Sequence, residues 1–242
     1  MATRPKSSIA EQLGAAQVAI MNALTDQEIQ AMIASYGYTV QKLQEGKQLY
    51  EAAASIASAQ VAASGAQAVK TQDLYTAERL AFDAYQSLAT VARAVFKREQ
   101  ARLVSLGLNG PMPRTMDSFL KAAYTLFDNV AADPQVKSTL ASYGYDEVRL
   151  QAERGKIVAY DTANQQQEAA KGTAQQSTRD QQNALHALND WVSQFIKIAK
   201  VALKEKKELL ERLGVLARSV KTEAQRAAPE KAAATRAKEQ QG

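Results

Sequence analysis

Apolar residues recur along this chain at helical spacing and do not alternate as they would in a strand. Ile9, Leu13, Ala16 and Ile20 fall on one face of a helix over residues 8–23. Ile29, Met32 and Ile33 mark a second, shorter helix. Thr25 or Asp26 caps it, and Glu28 in its first turn suits the helix dipole. Gly37 ends it, because glycine takes the left-handed conformation that closes helix termini. Thr39 caps a third segment that stays helix-periodic to Leu106. The breaker run Gly107-Leu108-Asn109-Gly110-Pro111-Met112-Pro113 follows.

The pattern then begins again. Ala34-Ser35-Tyr36-Gly37-Tyr38 returns unchanged as Ala141-Ser142-Tyr143-Gly144-Tyr145, and a gapless shift of 107 residues gives 26 identities in 107 pairs. Leu13/Leu120, Asn22/Asn129, Asp26/Asp133, Gly65/Gly172 and Gly107/Gly214 are among them. Asp146 stands where Thr39 stood, which keeps the capping chemistry. The reading is a tandem duplication. A disordered lead-in covers residues 1–7, repeat 1 covers 8–112, repeat 2 covers 113–220, and a disordered basic tail covers 221–242.

The long segments, 39–106 and 146–213, have two readings. Each is one helix of roughly 100 Å at 1.5 Å per residue, or each is a hairpin turning near Gly65 or Gly172. In the second segment one seam of a heptad reads Leu150, Ile157, Asn164, Lys171, Thr178, Leu185, Val192, Ala199, Lys206, Leu213. It is apolar at both ends and polar between, yet it never changes phase, and a hairpin would have no reason to keep phase across its turn. The expected fold is therefore all-α: two long antiparallel helices form a coiled-coil stalk related by a pseudo-two-fold axis. The pair 8–36 docks on the start of the first long helix and the end of the second. The pair 115–143 docks at the opposite end, through Phe119, Leu120, Tyr124, Leu126 and Phe127, so each end is a small four-helix bundle. The alternative is a compact multi-helix bundle of hairpins.

Composition narrows the class further. Ala, Leu, Lys, Gln and Glu dominate, with 5 Pro and 11 Gly in 242 residues, as a helical chain requires. The net charge is +5, too small for a surface built to wrap nucleic acid. From Arg218 onward six basic residues face three acidic ones. With no Cys there is neither a disulfide nor a thiolate metal site. No apolar run reaches the ~20 residues of a bilayer span. Glu11 and Gln12 interrupt any signal-peptide core, so the expected location is cytoplasmic.

Few residues carry chemistry. The single histidine, His186, lacks the Glu-x-x-His pairing of a di-metal bundle site, and no phosphate-binding glycine loop is present. Neither a catalytic set, a cofactor nor a metal is expected, and the chain reads as a non-enzyme. Two features remain. Tyr36, Gly37, Tyr38, Tyr143, Gly144 and Tyr145 form structural corners, the rings packing and the hydroxyls bonding to backbone. Lys197, Lys200, Lys204, Lys206 and Lys207 form a candidate basic patch. The function expected is that of a structural or interaction protein: a coiled-coil spacer or scaffold presenting two similar bundles to protein partners or to itself. The alternative is an accessory factor that binds nucleic acid or ribosomes through basic helix ends and the tail.

Overall fold

A computed structural model describes residues 7–215, so the tail and nearly all of the lead-in lie outside the described residues. Among the described residues eight helices follow in order: α1 (Ile9–Thr25), α2 (Gln27–Ala34), α3 (Val40–Val95), α4 (Gln100–Ser105), α5 (Met116–Ala132), α6 (Pro134–Ala141), α7 (Glu147–Ala202) and α8 (Lys207–Arg212). Among the described residues there is no strand, and no helix is long and apolar enough to cross a membrane. The lengths run 17, 8, 56, 6 and then 17, 8, 56, 6 again.

The long segments are single helices, and the hairpin alternative does not hold. α3 passes through Gly65 and α7 through Gly172 without a break. A glycine in a helix interior costs only about 1 kcal/mol against alanine, and 56-residue helices carry it. The expected end at Leu106 is wrong, however. The helical path stops at Val95, Glu99 N–H donates to the Phe96 carbonyl at 2.8 Å, and α4 follows. No Pro or Gly marks this break. The turn lets Phe96, Leu106 and Leu108 join the apolar cluster of Phe119 and Leu126 on α5, so packing sets its place. The same break separates α7 from α8 after Ala202.

The chain forms two compact units, and each takes elements from both halves of the sequence. The first holds residues 7–55 and 182–215: α1, α2, the start of α3, the end of α7, and α8. Its core gathers Ile20, Ile29, Ile33, Leu43, Leu188, Trp191, Phe195 and Leu209. The second holds residues 56–181: the rest of α3, then α4, α5, α6 and the start of α7. Leu88, Phe96, Phe119, Leu126, Val130, Leu140 and Ile157 fill its core. Here α3 and α7 run antiparallel. Lys70 reaches Gln166 at 3.1 Å, and the Tyr160 hydroxyl donates to Glu78 at 3.2 Å. Burial and then the Glu78 charge push the Tyr160 hydroxyl up to about 12.

Side-chain caps fix the short helices. Ser8 and Glu11 form a capping box at the head of α1. Asp26, rather than Thr25, caps α2 by accepting from the Glu28 and Ile29 amides. Asn22 donates to the Arg212 carbonyl, tying α1 to the end of α8. Asn129 does the same from α5 to Ser105 of α4.

Asp26 also accepts from Arg212 Nη1 at 2.8 Å. That hydrogen bond first, and the Ile29 amide next, hold its carboxyl below the usual carboxylate range. A depressed folded-state value contributes stability that is full above the unfolded value near pH 4 and is lost as pH falls through the folded value. Asp26→Asn keeps a capping side chain and removes the charge. In urea unfolding it is expected to be less stable than the parent at pH 7, with the difference shrinking below about pH 4. A gap that stays constant across that window would show that the Arg212 contact contributes nothing.

Candidate functional site

Each tyrosine corner is a helix closure followed at once by a new helix. At the end of α2, Tyr38 N–H donates to the Ile33 carbonyl and Gly37 N–H to the Ala34 carbonyl, with Gly37 at φ +86°. This is a Schellman closure, and it brings the residue after the glycine against the residue five positions earlier. Tyr38 and Ile33 are both buried accordingly. Thr39 Oγ1 then accepts from Lys42 N–H and α3 starts. The second corner repeats the bonds: Tyr145 to Leu140, Gly144 to Ala141, Gly144 at φ +82°, and Asp146 accepting from Arg149 N–H.

This geometry divides the tyrosines, which the repeated word alone treated alike. Tyr38 and Tyr145 are core residues. Tyr36 and Tyr143 remain 49% and 59% exposed. Tyr38 packs edge-on to Trp191, with centroids 5.7 Å apart, and against Phe195 at 5.1 Å. Its hydroxyl is buried without a hydrogen-bond partner among the described residues, so the expected bond to backbone is absent and ring packing holds the corner. Burial pushes that hydroxyl's pKa up.

In the second unit the exposed Tyr143 separates two open clefts. One, of about 480 Å³, is lined by Gln86, Ser87, Thr90 and Val91 of α3 with Tyr143, Tyr145 and Arg149. The other, of about 640 Å³, lies between the end of α3 and α6. Phe96, Glu99, Arg102, Gln135, Thr139 and Tyr143 are among its lining residues. Arg102 in that cleft is engaged on three sides. It pairs with Glu99 at 2.6 Å, donates to Gln135 at 3.0 Å, and lies over the Phe96 ring. Arg149 in the first cleft is held differently. Its guanidinium lies 4.2 Å from the Tyr145 centroid, and Nη1 donates to the Gly144 carbonyl at 3.1 Å. It makes no ion pair with a carboxylate among the described residues. At the matching position of the first unit, Lys42 pairs with Glu45 at 2.5 Å, and that pairing raises its pKa. The residue matching Glu45 is Ala152. Sequence reasoning missed Arg149, although a comparison of positions 107 apart finds a cation at both 42 and 149 but an acid only at 45.

The five lysines all lie in the first unit but do not make one free patch. Lys206 donates to Glu28 of α2, and Lys204 lies 3.6 Å from Glu205. Lys197 and Lys200 on α7 and Lys207 on α8 are exposed and form no ion pair among the described residues. His186 pairs with Asp190 at 3.0 Å on an open helix face. Among the described residues no group of three or more His, Cys, Asp or Glu converges as metal ligands would. No family model, curated protein or solved structure matches the chain.

Proposed function

We propose that the chain is a non-enzymatic interaction protein. It is a duplicated helical scaffold whose units each present an exposed tyrosine corner to protein partners, a second copy of itself included. The duplication and the coiled-coil seam are part of this proposal. The repeated order of helix lengths and the matching corner hydrogen bonds support the duplication. One observation carries the function: Tyr36 and Tyr143 stand half-exposed at the same place in each repeat, beside a buried twin. A large amphipathic ring on a rigid turn loses little entropy on binding, and tyrosine is enriched among the residues that dominate interface energies.

The test is a photoreactive residue placed at 36 and, separately, at 143 in the full chain, alongside sedimentation at rising concentration. Discrete cross-links to a second copy or to a partner are expected. The association seen by sedimentation should be lost in the Tyr36→Ser/Tyr143→Ser double variant while its melting curve is unchanged. A monomer at every concentration, with no discrete cross-link at either position, would overturn the proposal.

The second reading, contact with nucleic acid, is favoured by Lys197, Lys200 and Lys207, which form no ion pair among the described residues. It requires binding that weakens steeply as salt rises.

A further inference from the structure

We infer that the Arg149 cleft of the second unit is a binding site for the carboxylate of an acidic peptide; the identity of the partner as a protein rests on the interaction reading above. Arg149 is ready to bind. Stacking on Tyr145 and the bond to the Gly144 carbonyl fix the plane of its guanidinium, so little side-chain freedom remains to be lost. Among the described residues it is also without an acid, whereas its counterpart Lys42 is neutralised by Glu45 at 2.5 Å. The first unit closes this position from within, and the second leaves it open.

The rest of the lining fits the same ligand. Ser87 and Thr90 offer hydroxyls, Gln86 an amide and Tyr143 a phenol, Val91 is apolar, and no acid is present. A carboxylate accepts two parallel bonds from a guanidinium fork, and hydroxyl and amide donors satisfy its remaining lone pairs. Arg149 is the one cation among the lining residues. One positive charge balances a carboxylate and leaves a phosphate dianion half-compensated. About 480 Å³ is room for a side chain, and the larger cleft beyond Tyr143 gives an extended peptide somewhere to continue. The segment from Arg218 onward is a poor match for an acidic occupant, since six basic residues outnumber three acidic ones in it.

The experiment follows the Arg149 side-chain Nε–Hε signal in the nitrogen-15-labelled full chain. The probes are acetyl-Gly-Glu-Gly-amide, its Gln analogue and inorganic phosphate. A saturable shift is expected with the Glu peptide, at least tenfold weaker with the Gln peptide, since charge-assisted bonds are about twice as strong as neutral ones. Binding by Arg149→Gln, followed at the Tyr143 amide, should be lost. Ala152→Glu should lose it too, by supplying the acid found at 45. Position 152 is exposed, so this variant tests the site without disturbing the core, and its melting curve checks that. Lys42→Gln, in the first unit, should leave the shift unchanged. No saturable shift with the Glu peptide, equal binding of the Gln peptide, phosphate binding as tightly as the Glu peptide, or retained binding in a folded Ala152→Glu protein would each overturn the assignment. The probe is a defined peptide, so a chain that proves to have no protein partner sinks the interaction reading and leaves this result standing.

Discussion

Phe119→Ala is expected to destabilise the second unit by about 3–5 kcal/mol, the range for removing a buried aromatic ring. Phe119 on α5 is fully buried. Its ring stacks in parallel on Phe82 of α3, with centroids 4.0 Å apart, and meets the edges of Tyr85 on α3 and Tyr160 on α7 at 5.5 and 6.0 Å. One side chain therefore joins three helices. Alanine would leave a ring-sized void lined by other rings, which cannot collapse to fill it without leaving their rotamers. At the usual 2–4 °C per kcal/mol for a chain of this size, the midpoint seen by circular dichroism should fall by roughly 6–20 °C. Hydrogen exchange should locate the loss at Leu126 and Val130. Phe119→Leu keeps most of the volume and should lose much less, about 1.5 kcal/mol or under. A shift for the alanine variant of less than about 2 °C would mean that the three-helix junction is not where this unit holds itself together.

What the sequence made legible, and what it did not, separates along the range of the forces involved. Asp26, Thr39, Asp146, Gly37 and Gly144 were readable because capping and helix closure act within a few residues. The continuity of α7 through Gly172 was readable from unbroken phase, and that of α3 from the repeat, although the same phase runs on past the break after Ala202. The break after Val95 was not, because nothing local causes it; Phe96, Leu106 and Leu108 turn to reach α5, which lies later in the chain. Tyr36 and Tyr38 looked equivalent as letters. Their different fates follow from closure geometry, in which only the residue after the glycine packs back on the helix. Arg149 became visible once its missing acid was compared with Glu45, a difference between two places rather than a motif at one. Trp191 and Gly46 were the hardest to read, since their relation exists only when α3 and α7 lie side by side.

Gly46→Ala is expected to destabilise the first unit, although the same change in an exposed helix interior stabilises. Propensity favours alanine by about 1 kcal/mol. Against that, a Cβ at position 46 would lie 2.4 Å from Cη2 and 2.5 Å from Cζ2 of Trp191, well inside contact distance. The indole is rigid and buried, with Tyr38 against its edge and Phe195 tilted over it at 5.3 Å. It can withdraw only by pushing those rings, and overpacking of this kind costs about 1–3 kcal/mol. A net loss of up to about 2 kcal/mol results, or up to roughly 8 °C in the midpoint. Gly65→Ala and Gly172→Ala are the controls: both glycines lie in helix interiors with nothing within 4 Å of the added Cβ, and each should gain up to about 1 kcal/mol. Trp191→Leu should cost stability alone yet suppress most of the Gly46→Ala effect, giving a coupling energy above about 1 kcal/mol in a double-mutant cycle. The matching positions in the second unit hold Glu153 on α7 and Ala84 on α3, so there too the larger residue stands on α7 and the smaller on α3, as expected if each site needs one bulky partner and one that yields. A Gly46→Ala protein that gained stability as Gly65→Ala does would show that Trp191 moves aside freely and that the glycine is no seat for it.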